Sequence, residues 1–311
     1  MGKRRGQPIH GWIVIDKPEG LSSAAVVARV RRQLNAAKAG HAGTLDPLAT
    51  GVIPIALGEA TKTVAFAMDG DKTYEFTAVW GAATDTDDRE GRVIATSAVR
   101  PTREAIAAAL PRFVGDLAQV PPAYSAVKVG GERAYALARD GAEVALKPRH
   151  VKVYSFDLID EIPPDQARFR VRCGKGTYVR ALVRDLARAL GTFGHIGALR
   201  RTACGPFDDS AAISLDKWEA LGHSPAALAH LRPVRTVLDD IPALALTPEE
   251  AHRLRHGQSL ALFPLAQRNP QAKLTQGAPV QAVLGDELVA LAEVGTGMLR
   301  PVRVIASDKP E

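Results

Sequence analysis

The pattern with the most chemical content is Gly40-His41-Ala42-Gly43-Thr44-Leu45-Asp46-Pro47-Leu48-Ala49-Thr50-Gly51. Its glycines permit positive φ and close backbone approach. Pro47 fixes its own φ and biases Asp46 toward an extended conformation. One carboxylate is thus held stiffly in a loop of small residues, which suits a group that must be aimed. A surface loop with an Asx-type turn fits the same residues, so the reading depends on what else the chain carries. Two further side chains stand out. Tyr74 begins the face that Phe76, Ala78 and Trp80 share on an alternating strand, so its hydroxyl can stay near a cleft. Arg180 sits in the first turn of a helix, where a cation opposes the dipole and a carboxylate partner is favourable.

Other patterns lose their chemistry on inspection. Gly174-Lys175-Gly176-Thr177 has glycine where a Walker motif needs Ser or Thr, and Phe169 where it needs its first glycine, which excludes a nucleotide loop. Asp85 to Gly91 has Arg89 at the fifth position and its glycine one place late for a calcium loop, so it reads as an acidic turn between strands. His252 and His256 are spaced like metal ligands but have no third ligand nearby, so they read as a solvated helix face. No metal or cofactor is expected.

The elements that must position Asp46, Tyr74 and Arg180 follow from periodicity and capping. Trp12–Ile15 reads as a buried strand. Ser22 or Ser23 caps a helix with Val26, Val27, Val30 and Leu34 on its apolar face. Val52–Leu57 and Lys72–Trp80 are strands, and Thr102 caps a helix to Phe113. Glu132–Asp140 looks helical. Val151–Ile159 and Arg168–Cys173 are strands, with Arg168, Arg170 and Arg172 on one face. Thr177 caps a helix to Leu190, closed by Gly191. On it Arg180, Arg184 and Arg188 recur every four residues, most of them as a solvated stripe. A linker flanked by Pro233 and Pro242 leads to a helix from Thr247 to His256 and short strands at Val280–Leu284 and Leu288–Val294.

The totals bound the class. A chain of 311 residues with 46% hydrophobic residues supports one large domain plus a smaller one. A formal charge of +6 suits a polyanionic partner. Two cysteines without metal spacing fit a reduced, cytoplasmic setting. No apolar run reaches membrane-span length, and the basic start at Met1–Gly6 is not followed by a signal core.

Taken together, Asp16-Lys17-Pro18 with Gly20 and Ser23, the Gly40–Gly51 loop, Lys72-Thr73-Tyr74, the run from Pro121 to Lys128, Lys175-Gly176-Thr177-Tyr178-Val179-Arg180 and Leu199-Arg200-Arg201-Thr202 resemble the bacterial tRNA pseudouridine-55 synthase family. The resemblance covers most of the chain to about Arg235, and beyond it the tail resembles a PUA-type RNA-binding module by position and size. It implies an isomerase that converts the T-loop uridine at tRNA position 55 to pseudouridine. Carried over by position, it makes Asp46 the nucleophile, Tyr74 the stacking partner of a flipped base with a part in C5 proton transfer, and Arg180 the basic partner of Asp46. The resemblance likewise implies that Tyr178 touches the target nucleotide, that Leu199 walls the uracil pocket and that His41 holds the flipped-out conformation. Lys17, with Pro18, buttresses the pocket or binds phosphate.

The expected fold is α+β: a mixed, largely antiparallel sheet with flanking helices, plus a small C-terminal β-rich, PUA-like domain. The expected division is a catalytic domain at 1–241, with an RNA-gripping thumb inserted near 121–148, and an RNA-binding domain at 242–311. The expected partner is the T-arm stem-loop of tRNA, bound by a monomer without membrane or nucleotide cofactor, with tRNA folding as a possible second activity. Two rivals are a non-catalytic RNA-binding protein on the same scaffold and a carboxylate-based glycoside hydrolase. The first would fit loss of the Asp46, Tyr74 and Arg180 set. The second needs a paired acid, and none has a comparable setting.

Overall fold

The computed structural model of the chain describes residues 6–125, 127–129, 131–135, 146–162 and 164–306. Strand β1 (Gly11–Lys17) is apolar almost throughout, as suits a strand covered on both faces. Ser22 caps helix α1 (Ser23–Gln33) by accepting from Ala25 N, and Val26, Val30 and Leu34 turn into the core. Strands β2 (Ala39–His41) and β3 (Thr50–Leu57) bracket the Asp46 loop. Helix α2 (Val64–Asp69) leads to β4 (Lys72–Trp80), whose Phe76, Ala78 and Trp80 are buried as the alternation predicts. A hairpin of β5 (Ala82–Thr84) and β6 (Val93–Thr96) carries the acidic turn. Helix α3 (Arg103–Ala109), capped by Thr102, precedes β7 (Gly115–Gln119).

The segment after β7 was expected to become helical at Glu132. There β8 (Lys128–Val129) and β9 (Glu132–Arg133) pair antiparallel and helix begins two residues late, at Ala134–Tyr135, while residues 136–145 of the expected helix and thumb lie outside the described residues. The chain returns through β10 (Arg149–Ile162) and β11 (Gln166–Cys173), then helix α4 (Val179–Ala189) and β12 (Gly194–Cys204). Short strands β13 (Phe207–Asp208) and β14 (Ile213–Ser214) follow.

One sheet has the order β14-β1-β3-β12-β4-β11-β10-β7, with β2 on β3 and β13 on β12. Its pairs are antiparallel except β1 with β14 and β3 with β12. The fold is therefore α+β with a mixed, largely antiparallel sheet. Helix α4 packs Leu182, Val183 and Leu186 on the sheet, where Phe76, Phe156, Phe169 and Trp80 form an aromatic cluster with centroids 5.4 to 6.1 Å apart. Gly51 is required where β3 meets β12: its φ is +99°, and a Cβ there would lie 2.1 Å from the Arg201 carbonyl oxygen.

A second sheet runs in the order β15 (Ala243–Ala245), β17 (Pro279–Leu284), β18 (Glu287–Val294), β19 (Met298–Val304) and β16 (Leu260–Ala261). Strand β19 was not anticipated from sequence. The expected linker is not loose. Val234–Leu238 forms a 3-10 turn, and Val234, Val237 and Leu238 pack with Phe66 against Val283, Leu288, Leu291 and Ile305. Both cysteines are buried free thiols, and no helix among the described residues is long and apolar enough to cross a membrane.

Candidate active site

The Asp46 loop is fastened on both shoulders of the carboxylate. On one side Ser23 Oγ donates to Leu45 O (2.9 Å) and accepts from Leu45 N (2.8 Å). On the other, Pro47 O accepts from Gly20 N (2.8 Å) and from the Lys17 ammonium (3.1 Å). Leu45, Leu48 and Ala49 are buried beneath. The Asp46 side chain itself stays 37% exposed. Tight backbone anchors with one projecting carboxylate keep a reactive group aimed.

Lys17, expected to buttress the pocket or to bind phosphate, lies beneath the loop. It is fully buried, and its ammonium also donates to Pro18 O (2.9 Å) and Leu21 O (2.7 Å). All three donors are spent on carbonyls, so it buttresses the loop and does not present its charge to a phosphate. Burial lowers its pKa to about 8 against the opposing pull of Asp46.

Arg180 meets Asp46 directly, Nη2 lying 3.0 Å from Asp46 Oδ2. Its guanidinium is 6% exposed and also donates to Thr86 O (2.8 Å) and Tyr124 O (2.9 Å), with Asp88 Oδ2 3.5 Å away. The acidic turn is therefore a cradle for arginines. Arg184, expected on a solvated stripe, is instead 14% exposed with Nη1 3.0 Å from Asp87 Oδ2; only Arg188 remains outside, 66% exposed. Thr177 does not cap α4: its hydroxyl donates to Gly174 O. The capping position belongs to Tyr178. There Gln119 takes over, accepting from Tyr178 N (2.8 Å) and donating to Tyr178 O (3.1 Å).

Tyr74 stands opposite Arg201 across the β4–β12 ladder. Arg201 is buried and donates to Val52 O (2.8 Å) and Gly43 O (3.2 Å). Burial pushes the Tyr74 phenol up to about 12, although Arg201 hydrogen-bonds it and pulls the other way. Tyr74 is thus a protonated phenol at neutral pH, suited to stacking and not to accepting a proton at rest. The folded state keeps this proton where the unfolded chain loses it. The resulting stability is fully present below pH 10 and is lost as pH rises through about 12. Spectrophotometric titration checks this: of the five tyrosines, one titrates near pH 12 and is missing from Tyr74→Phe. Identical alkaline limbs for the two proteins would contradict it.

Leu199, facing Phe76 across the ladder, lines a cavity of about 230 Å³ with Leu48, Thr50 and Glu19. His41 ends β2, and its Nδ1 is buried with no hydrogen-bond partner. Burial and the charge of Arg201 lower its pKa, so the ring is neutral. The structure thus brings Asp46, Arg180 and Lys17 together, and sets Tyr74 and His41 around Arg201. Sequence reasoning missed Asp87, Asp88, Gln119, Arg184 and the inward role of Arg201. The arginines that share one face of β11 are each paired with a carboxylate: Arg168 with Asp160, Arg170 with Glu75 and Arg172 with Asp71. The His252 and His256 rings lie 4.3 Å apart, tilted by 45°, and among the described residues no cluster is placed to hold a metal.

Residues 31–179 match the TruB family pseudouridylate synthase N-terminal domain, and residues 180–239 match the tRNA pseudouridylate synthase B C-terminal domain. The chain is 55% identical over 303 residues to the tRNA pseudouridine synthase B of Rhodospirillum rubrum, covering 97% of this chain and 98% of that one. It is 53% identical, with the same coverage, to that of Caulobacter vibrioides. Among solved structures it is similar to a chain of a Cbf5-Nop10-Gar1 complex, with TM-score 0.69, 28% identity, and 96% and 84% of the two chains covered. It is also similar to a chain of an H/ACA RNP bound to a substrate RNA containing 2'-deoxyuridine, with TM-score 0.71, 25% identity, and 99% and 92% covered. Its fold is that of the pseudouridine synthases. With more than half of its residues identical to near-full-length relatives, the chain belongs to the TruB family of pseudouridylate synthases.

Proposed function

We propose that the protein is a tRNA pseudouridine synthase that isomerises uridine at position 55 of the T loop, with Asp46 as its nucleophile. The observation that carries the reading is the 3.0 Å contact between Arg180 and a part-exposed Asp46 whose flanking backbone is pinned. Uridine is an isomer of pseudouridine, so the reaction needs no redox step. The N1–C1′ bond breaks, the base turns in place, a C5–C1′ bond forms, and the C5 proton leaves to solvent while N1 takes up a proton in exchange. A carboxylate serves this either by adding covalently or by abstracting a sugar proton on the way to a glycal. Such chemistry requires the base outside the helical stack. Tyr74 offers the aromatic plane for it, Leu199 and Leu48 an apolar wall, and Tyr178 a second contact. Arg180 orients the carboxylate, and the neutral His41 holds the flipped-out loop conformation.

In this reading residues 1–241 form the catalytic domain, with a thumb near 121–148 that grips the T arm, and residues 242–311 form a PUA-like RNA-binding domain. The protein works as a monomer in the cytoplasm. The test is pseudouridine mapping on unmodified tRNA incubated with the purified protein. Position 55 is expected to convert. A folded protein that leaves that position as uridine, or modifies a different one, would refute the assignment.

A further inference from the structure

Arg184 stands one turn after Arg180 on α4, and the proposed chemistry makes no use of it. Each guanidinium nitrogen is nevertheless engaged. Nη1 lies 3.0 Å from Asp87 Oδ2, Nε donates to Asp185 Oδ1 at 2.9 Å, and Nη2 donates to Asp185 Oδ2 at 3.2 Å and to Val120 O at 2.8 Å. Two of these partners lie on the segments that hold Arg180. The turn after β5 supplies the Thr86 carbonyl and Asp88 to Arg180, and Asp87 to Arg184. The segment after β7 supplies the Tyr124 carbonyl to Arg180 and the Val120 carbonyl to Arg184. Both segments thus hold the guanidinium that meets Asp46, and Arg184 contacts both from the helix that carries Arg180.

Asp87 makes the tie necessary. It is a non-glycine residue at φ +60°, in the left-handed region that side chains seldom adopt. Its carboxylate is 13% exposed, and its carbonyl is fixed by Ile196 N at 3.1 Å. A buried carboxylate without a cation is costly. Deprived of Arg184, Asp87 would turn to the next inward cation on α4, Arg180, and draw it from Asp46.

Resting on the function proposed above, we propose that Arg184 is a positioning residue that keeps Arg180 on Asp46 by holding Asp87 and the Val120 carbonyl against α4, without itself touching RNA. The test compares single-turnover rates at saturating T-arm RNA, and separately measured affinities, for the parent and three variants. Arg184→Gln slows the bound-state step about 100-fold, the scale on which a small misplacement remote from the chemistry acts. Its affinity for RNA stays within about threefold, because the side chain faces inward. Adding Asp87→Asn removes the unpaired carboxylate and recovers about tenfold of the rate, a coupling expected of contacting residues. A role limited to fold stability would lower the melting temperature but give no such recovery. Arg184→Lys keeps a charge for Asp87 but not the fork that reaches Val120, and slows the step about tenfold; it keeps the measurement available if Arg184→Gln does not fold. The proposal is overturned by an Arg184→Lys rate equal to the parent's, by a loss confined to affinity, or by a double variant no faster than Arg184→Gln. A parent protein that forms no pseudouridine counts instead against the proposed function, which separates the two failures.

Discussion

Asp46→Asn is expected to abolish detectable isomerisation while tRNA affinity stays within about tenfold, or ~1.4 kcal/mol. The loop does not depend on the carboxylate for its shape. Its anchors reach the backbone of Leu45 and Pro47 from Ser23, Gly20 and Lys17. The Asn carbonyl oxygen can still accept from Arg180, so the guanidinium keeps a partner at that position. What disappears is the anionic oxygen that addition or proton abstraction requires. Tyr74, Tyr178 and Leu199 are untouched, so base extrusion and stacking persist. The assay is tritium release from C5-labelled uridine in a T-arm stem-loop, beside a binding titration. Near-parent release by folded Asp46→Asn protein would remove Asp46 from the role of nucleophile.

Arg180→Met is expected to damage both chemistry and stability, and the two effects can be separated. The guanidinium is buried and serves Asp46, Asp88, and the Thr86 and Tyr124 carbonyls. Its loss leaves Asp88, 5% exposed, as a buried carboxylate with no other ion-pair partner among the described residues. Removing one partner from a buried pair costs ~3–5 kcal/mol. Asp88 keeps hydrogen bonds from Thr86 Oγ1 (2.6 Å) and Glu90 N (3.1 Å), which places the cost toward the lower end of that range. The isomerisation rate falls about 1000-fold, the upper range for removing one preorganised electrostatic contact at a reacting group. Adding Asp88→Asn relieves the buried charge, so denaturant unfolding should recover most of the lost stability. The rate should not recover, because Asp46 still lacks its partner. A double variant regaining activity together with stability would mean that Arg180 acts on the fold alone.

Local physics carried the reading of the chain a long way at a few positions. Alternation along Lys72–Trp80 assigned the face of Tyr74, because a strand's side chains alternate whatever the strand is paired with. The unfavourable placement of a cation in the first turn of α4 pointed to a carboxylate partner for Arg180, and that partner is Asp46. Thr102 and Thr247 cap their helices by accepting from Ala105 N and Glu250 N, since capping needs only residues within one turn.

Where the partner lies far along the chain, the same local rules misassigned polar residues to solvent. Asp87 and Asp88 read as an acidic turn and Arg184 as part of a solvated stripe, while no local rule gave Arg201 an inward role. Their partners are remote: Arg184 reaches Asp87 across 97 residues, Gln119 reaches Tyr178 across 59, and Arg201 reaches Val52 across 149. A buried charge and a solvated one have the same sequence, and only packing supplies the desolvation that distinguishes them. Thr177 shows the same limit at short range, since the Gln119 side chain occupies the backbone groups of Tyr178 while the Thr177 hydroxyl turns back to Gly174. By itself the sequence determined that Asp46 stands in a stiff loop of small residues, because Pro47 and the glycines around it act through local backbone geometry, and it left an aimed carboxylate and an Asx-type turn both open. The tertiary structure decided what it is aimed with: pairing β3 with β12 and packing α4 on the sheet brought Arg180, its acidic cradle and Arg201 to one place.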